Sequence, residues 1–143
     1  MTLLCRDLSE LGSYARVDNK QYRVVKAATP GPFVFLLEAT KEVPRRLSHP
    51  SRKTIGLRVP EHAIPLALMA ELGEPLLTST LQLPGDDAPL NEAETIRERP
   101  EKQLELVIDG GPAPAEPTTV IDLTSGEPEL VRLGRGDPAR VGL

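Results

Sequence analysis

Lys53-Thr54-Ile55-Gly56-Leu57-Arg58-Val59-Pro60 alternates polar and apolar side chains with a period of two. That period belongs to a β-strand, which sends successive side chains to opposite faces of a sheet. Ile55, Leu57 and Val59 therefore face a core, and Thr54, Gly56 and Arg58 share the other face. Pro60 ends the strand, since it has no N–H for a ladder. On the polar face the glycine is expected to leave room for a ligand to approach the backbone. An arginine fork there suits a carboxylate or a phosphate held by two parallel hydrogen bonds. An edge-strand arginine in a surface ion pair would leave the same pattern.

Outward from this strand, helices and strands alternate. Residues 3–5 read as a strand. Asp7 with Glu10 makes a capping-box pair for a helix through Tyr14, and Asp18 with Gln21 repeats the device, with Tyr22, Val24 and Val25 inward. That second helix stops before Pro30. Residues 33–38 form a strand and 42–47 a helical turn. Residues 63–72 carry a helical pattern (Ile64, Leu66, Leu68, Leu72) closed by Gly73. Further strands are expected at 75–80, 104–108, 118–123 and 129–132. A turn is expected at 84–87, a charged helix at 91–98 and a Pro/Gly/Ala connector at 110–117. From Gly134 onward the reading is a mobile tail. Intermixed elements with short connectors give an α/β domain on a mixed, twisted sheet with flanking helices.

The chain has 143 residues, enough for one core. Hydrophobic residues make up 39% and charged residues 27%, ordinary values for a globular protein. No apolar run approaches the ~20 residues of a membrane span. No basic-then-apolar leader opens the chain, and one cysteine excludes an internal disulfide, so the cytoplasm is the expected compartment. Cys5 reads as a small buried hydrophobe. His49 and His62 lack partners at ligand spacing, so no structural metal site is read. Charge is uneven: residues 1–60 hold eleven Lys/Arg against five Asp/Glu, and the remainder six against sixteen. A basic half suits an anionic ligand.

Other blocks stand before and after this strand in a fixed order. They are Thr29-Pro30-Gly31-Pro32-Phe33-Val34-Phe35-Leu36-Leu37, Pro75-Leu76-Leu77-Thr78-Ser79-Thr80, Val107-Ile108-Asp109-Gly110-Gly111, Pro117-Thr118-Thr119-Val120-Ile121-Asp122-Leu123 and Val131-Arg132-Leu133-Gly134-Arg135-Gly136. In this order the set resembles the YrdC family, whose members make threonylcarbamoyl-adenylate for tRNA modification. Leu4-Cys5-Arg6-Asp7-Leu8-Ser9-Glu10-Leu11 and Lys41-Glu42-Val43-Pro44-Arg45-Arg46 are similar to its YciO branch.

The resemblance implies a YrdC-like (DHBP synthase-like) fold with a concave substrate face. It also implies a nucleotidyl transfer joining L-threonine, bicarbonate and ATP, the last with Mg2+. No acid-base residue is assigned a catalytic role. By position, Arg58, Thr78 and Thr118 resemble threonine-binding residues, and Thr54, Thr80 and Arg132 resemble nucleotide-binding ones. Thr80-Leu81-Gln82 stands where the family has Ser-Ala-Asn, which moves an amide outward. Family members begin with a strand, a helix and a strand ahead of the point where Met1-Thr2-Leu3-Leu4-Cys5 joins the pattern. Residues 1–136 are therefore expected to be an N-terminally incomplete domain and 137–143 a tail. The alternative partner is double-stranded RNA or tRNA, on a basic face built from Lys41, Arg45, Arg46, Arg52, Lys53 and Arg58.

Overall fold

The structure is a computed structural model and describes residues 1–51, 53–82, 85–87, 89–98 and 104–143, with the side chain of Arg45 excepted. In chain order its elements are β1 (Thr2–Leu4), α1 (Leu8–Tyr14), β2 (Ala15–Arg16), α2 (Asn19–Ala27), β3 (Phe33–Ala39), β4 (Thr54–Arg58), α3 (Ala63–Leu72), β5 (Leu76–Thr78), α4 (Ala93–Glu98), β6 (Thr119–Asp122) and β7 (Glu129–Arg132). They divide into two units, Met1–Ser79 with Thr118–Leu143, and Thr80–Pro117.

The first unit holds a seven-stranded mixed sheet ordered β5-β1-β4-β3-β6-β7, with β2 pairing to β3. β1 runs parallel to β4, and β3 parallel to β6; the other pairs are antiparallel. Register sets Leu3, Leu57, Phe35 and Ile121 in one row across four strands. All four are buried, so this face carries the core. Leu11 of α1 and Val25 of α2 belong to the same cluster, which makes these helices its cover. Thr2, Gly56, Leu36 and Asp122 form the neighbouring row, and pleating sends them to the other face.

Several expectations needed correction. Asp7 caps α1 by accepting from the Glu10 N–H at 2.8 Å, but the Glu10 carboxylate accepts from the Arg6 N–H and guanidinium, not from the Asp7 N–H. Arg6 offers it two charge-assisted bonds there. The Asp18–Gln21 capping box is complete. Tyr22 is 44% exposed because the inward stripe of α2 is Gln21, Val24, Val25 and Ala28. That spacing leaves Tyr22 about 100° off the stripe. On α3 the buried residue is Met69, whereas Leu68 and Leu72 face outward, since the inward row runs from Pro65 to Met69.

Residues 134–143 are not a mobile tail. Asp137 caps a 3₁₀ turn, Pro138–Val141, and Val141 enters the core. In the second unit, residues 104–108 are not a buried strand: Leu106 is 76% exposed, and no strand pairs with the segment among the described residues. Its alternation is that of a strand, but a ladder needs an adjacent edge. Pro84, in the expected turn, lies outside the described residues; Gly85 there has φ +90°.

Candidate functional site

The polar face of the sheet carries most of the residues singled out from sequence. Arg58 lies opposite Leu4 near the C-terminal end of β4, half-buried. Its Nε donates to the Gly31 carbonyl at 3.3 Å, and among the described residues no carboxylate pairs with its guanidinium. Burial, reinforced by the nearby positive charge of Arg135 and opposed by Glu61, pushes its pKa below that of a free guanidinium. A guanidinium remains charged at neutral pH regardless. The result is a partly desolvated cation with its two terminal nitrogens open, which is what an incoming carboxylate or phosphate requires.

Gly56 does not leave an opening beside it. A Cβ there would stand 3.0 Å from Val34 Cγ1 and 3.5 Å from Thr2 Oγ1. The missing side chain makes room for the protein's own valine, so the floor between Thr54 and Arg58 is filled. Four strand positions separate those two residues, about 13 Å along the sheet. Thr54 stands at the edge of a polar hollow of about 510 Å³ with Arg16, Asp18, Gln21, Glu38 and Thr124. Its hydroxyl makes no hydrogen bond among the described residues.

Thr78 pairs with Thr2 in the β5–β1 ladder and donates its hydroxyl to the Thr2 carbonyl at 2.9 Å. The oxygen keeps its lone pairs for a donor such as a ligand ammonium. Thr118 and Arg132 come together, but on each other. Arg132 Nη2 donates to the Thr118 carbonyl at 2.7 Å and to Thr118 Oγ1 at 2.9 Å, and Nε to the same carbonyl at 3.0 Å. Arg132 shares a row with Val120 and Val34, three strands from Arg58, about 14 Å away. Thr80 belongs to the second unit. There Gln82 donates its amide to the Asp86 carbonyl at 2.9 Å, so that group is engaged locally.

Arg135 is the feature that sequence reasoning passed over, although its flanking glycines, Gly134 and Gly136, were a signal that the backbone is held close there. The Cys5 thiol is fully buried, and burial with the charges of Glu10 and Asp7 pushes its pKa up to about 12, so it is no nucleophile. Among the described residues no three His, Cys, Asp or Glu side chains converge as metal ligands, and no helix is long and apolar enough to cross a membrane.

Comparison with known proteins places this geometry. The family model for Sua5, YciO and YrdC, described as "Telomere recombination", matches residues 1–134. YciO of Escherichia coli K12 is 53% identical over 136 residues, covering 95% of this chain and 66% of the relative. A protein of Haemophilus influenzae is 52% identical over 139 residues, 96% of this chain and 67% of its own. The chain thus spans about two-thirds of the length of these curated relatives. The crystal structure of E. coli YciO superposes with a TM-score of 0.94 at 51% identity, covering 98% of this chain and 68% of that one. P. abyssi Sua5 complexed with L-threonine superposes at 0.83 with 27% identity, over 93% of this chain and 39% of that one. This chain belongs to the Sua5/YciO/YrdC family.

Proposed function

We propose that this chain provides the amino-acid-binding face of a threonylcarbamoyl-adenylate-forming protein, with Arg58 as the clamp for the L-threonine carboxylate. The observation that carries this reading is the half-buried Arg58 guanidinium, anchored through Nε and left without a carboxylate partner in its unit. The existence of a threonine complex of a Sua5 relative supports the ligand class. Thr78, whose hydroxyl oxygen keeps its lone pairs, would steady the ammonium, and the Thr118–Arg132 pair would supply a hydroxyl and a cation farther along the sheet.

The reaction proposed is the family's. The threonine amine bonds to the bicarbonate carbon, and the bicarbonate hydroxyl leaves as water with a proton from the amine, giving a carbamate. The carbamate oxygen then bonds to the α-phosphorus of ATP, and the bond to the β,γ-diphosphate breaks to release pyrophosphate. Magnesium enters with ATP, on the phosphates. Such a displacement asks the protein for position and charge compensation more than for proton transfer. This matches a face made of hydroxyls and arginines. The nucleotide would run toward Thr54 or Arg132.

The test is mass spectrometry of the purified chain incubated with ATP, L-threonine, bicarbonate and magnesium. Threonylcarbamoyl-adenylate should form, and Arg58→Ala should abolish it. Calorimetry should show threonine affinity falling roughly thirty- to hundredfold in that variant, the effect of removing a charge-assisted hydrogen-bond pair. Product that survives Arg58→Ala would sink the clamp. The rival reading, a double-stranded RNA binder, draws on Lys41, Arg46 and Lys53, which are exposed. Arg52 and the Arg45 side chain lie outside the described residues. A steep salt dependence of duplex RNA affinity would favour it.

A further inference from the structure

We propose that Arg135 is a second cation of the Arg58 site and gives it a preference for ligands that carry two anionic groups. This rests on the reading of Arg58 as an anion clamp, and deepens it by naming the ligand charge.

The geometry comes from one buried ring. Phe33, fully buried at the start of β3, touches the loop that accepts a hydrogen bond from Arg58 and the loop that bears Arg135. On one side is Gly31, whose carbonyl accepts from Arg58 Nε; its Cβ position lies 3.7 Å from the Phe33 ring. On the other is Gly136, whose Cβ position would fall 2.7 Å from the same ring, so only glycine fits. Thr119, the one buried polar residue among those described, holds this second loop at two points. It accepts from the Gly134 N–H at 2.9 Å and donates to the Gly136 carbonyl at 2.7 Å. Arg135 is the residue between those two anchors. Its backbone is therefore held on the ring that also carries the Arg58 anchor, and its charge is felt at Arg58.

The surrounding charges are not arranged to neutralise the pair. Asp137 is occupied as the cap of Ala139 N–H at 3.0 Å. Arg140 adds a third cation, 5.7 Å over the Phe33 ring, with Nη2 donating to the Ala27 carbonyl. Glu61 is the single acid whose charge favours the Arg58 cation. Among the described residues neither Arg58 nor Arg135 forms an ion pair. Two like charges held near each other by a folded scaffold repel, and a ligand bearing two anionic groups relieves that repulsion. A single carboxylate answers only one of them. Arg140 is tied to the ring and to Ala27, which leaves Arg135, exposed, as the free partner of Arg58.

Two probes separate the charges: L-threonine, with one carboxylate, and phosphonoacetate, with a carboxylate and a phosphonate on one carbon. Calorimetric titration of the full chain should show Arg135→Gln weakening phosphonoacetate about tenfold or more, as expected for losing a charge-assisted contact. Threonine affinity should fall by a smaller factor than phosphonoacetate affinity, and Arg135→Lys should restore part of the loss. Arg58→Ala should weaken both probes, and Arg58→Lys repeats that arm if the alanine variant unfolds. If the wild-type chain binds threonine through Arg58 but not phosphonoacetate, or if Arg135→Gln alters both probes alike, the Arg135 assignment falls while the clamp stands. If wild type binds neither probe, or Arg58 substitutions change nothing, the clamp itself falls and takes this inference with it.

Discussion

Arg58 and Cys5 show how far a single residue can be read and where reading stops. The arginine fork on a strand face was visible as a pattern, and its lack of a carboxylate partner was not, because partners come from β3, β6 and the loops between them. Gly56 was legible as a close approach but not as to what approaches; the occupant is Val34. Cys5 yields a prediction with a sign. Its thiol has an ordinary value of 9.0 and is pushed to about 12 in the fold. Above pH 9 the unfolded chain has lost that proton and the folded chain still holds it, so stability is complete below pH 9 and declines as pH rises toward 12. The slope should approach ~1.4 kcal/mol per pH unit. Urea unfolding at a series of pH values should show this decline in the wild type and a shallower one in Cys5→Ala. Parallel curves would mean that the thiol is not held protonated.

At the scale of elements, caps and turns were the most legible features. Asp18, Gln21 and Gly73 act within four residues of the helix end they stabilise, so local sequence contains the whole interaction. Asp18→Ala should lower stability by about 1 kcal/mol, read as a shift of the urea midpoint. Thr119 stands at the other extreme. Its neighbours in sequence mark it as a strand residue, yet its hydroxyl bonds lie fifteen and seventeen residues away. Thr119→Val keeps the shape and leaves the Gly134 N–H and Gly136 carbonyl unpaired, so a loss of about 1–3 kcal/mol is expected at unchanged denaturant slope. A neutral result would show that water replaces the hydroxyl. The segment at 104–108 failed for the converse reason. Its alternation is that of a strand, and no strand pairs with it among the described residues of its unit.

For the whole molecule, the two units differ in what they bury. The first owns the sheet and every buried residue; among the described residues of Thr80–Pro117 none is buried. Amides of residues 104–117 should therefore exchange with solvent within seconds, while those of β3 and β6 persist to the limit set by global unfolding. Protection of 104–117 comparable to β3 would show a core that the burial pattern lacks. What the sequence determined by itself was the inventory: the family, the strands, the caps and the arginines and threonines available for a site. Each of those depends on local periodicity or on a motif, and both are carried by neighbouring residues. Only the tertiary structure decided which of them remain free. Packing of the strands and loops anchors Arg58 Nε on the Gly31 carbonyl, turns Arg132 onto Thr118 and brings the Gly134–Gly136 loop to Phe33. Those outcomes depend on contacts between residues up to a hundred positions apart, whose pairing is fixed by packing against a common core.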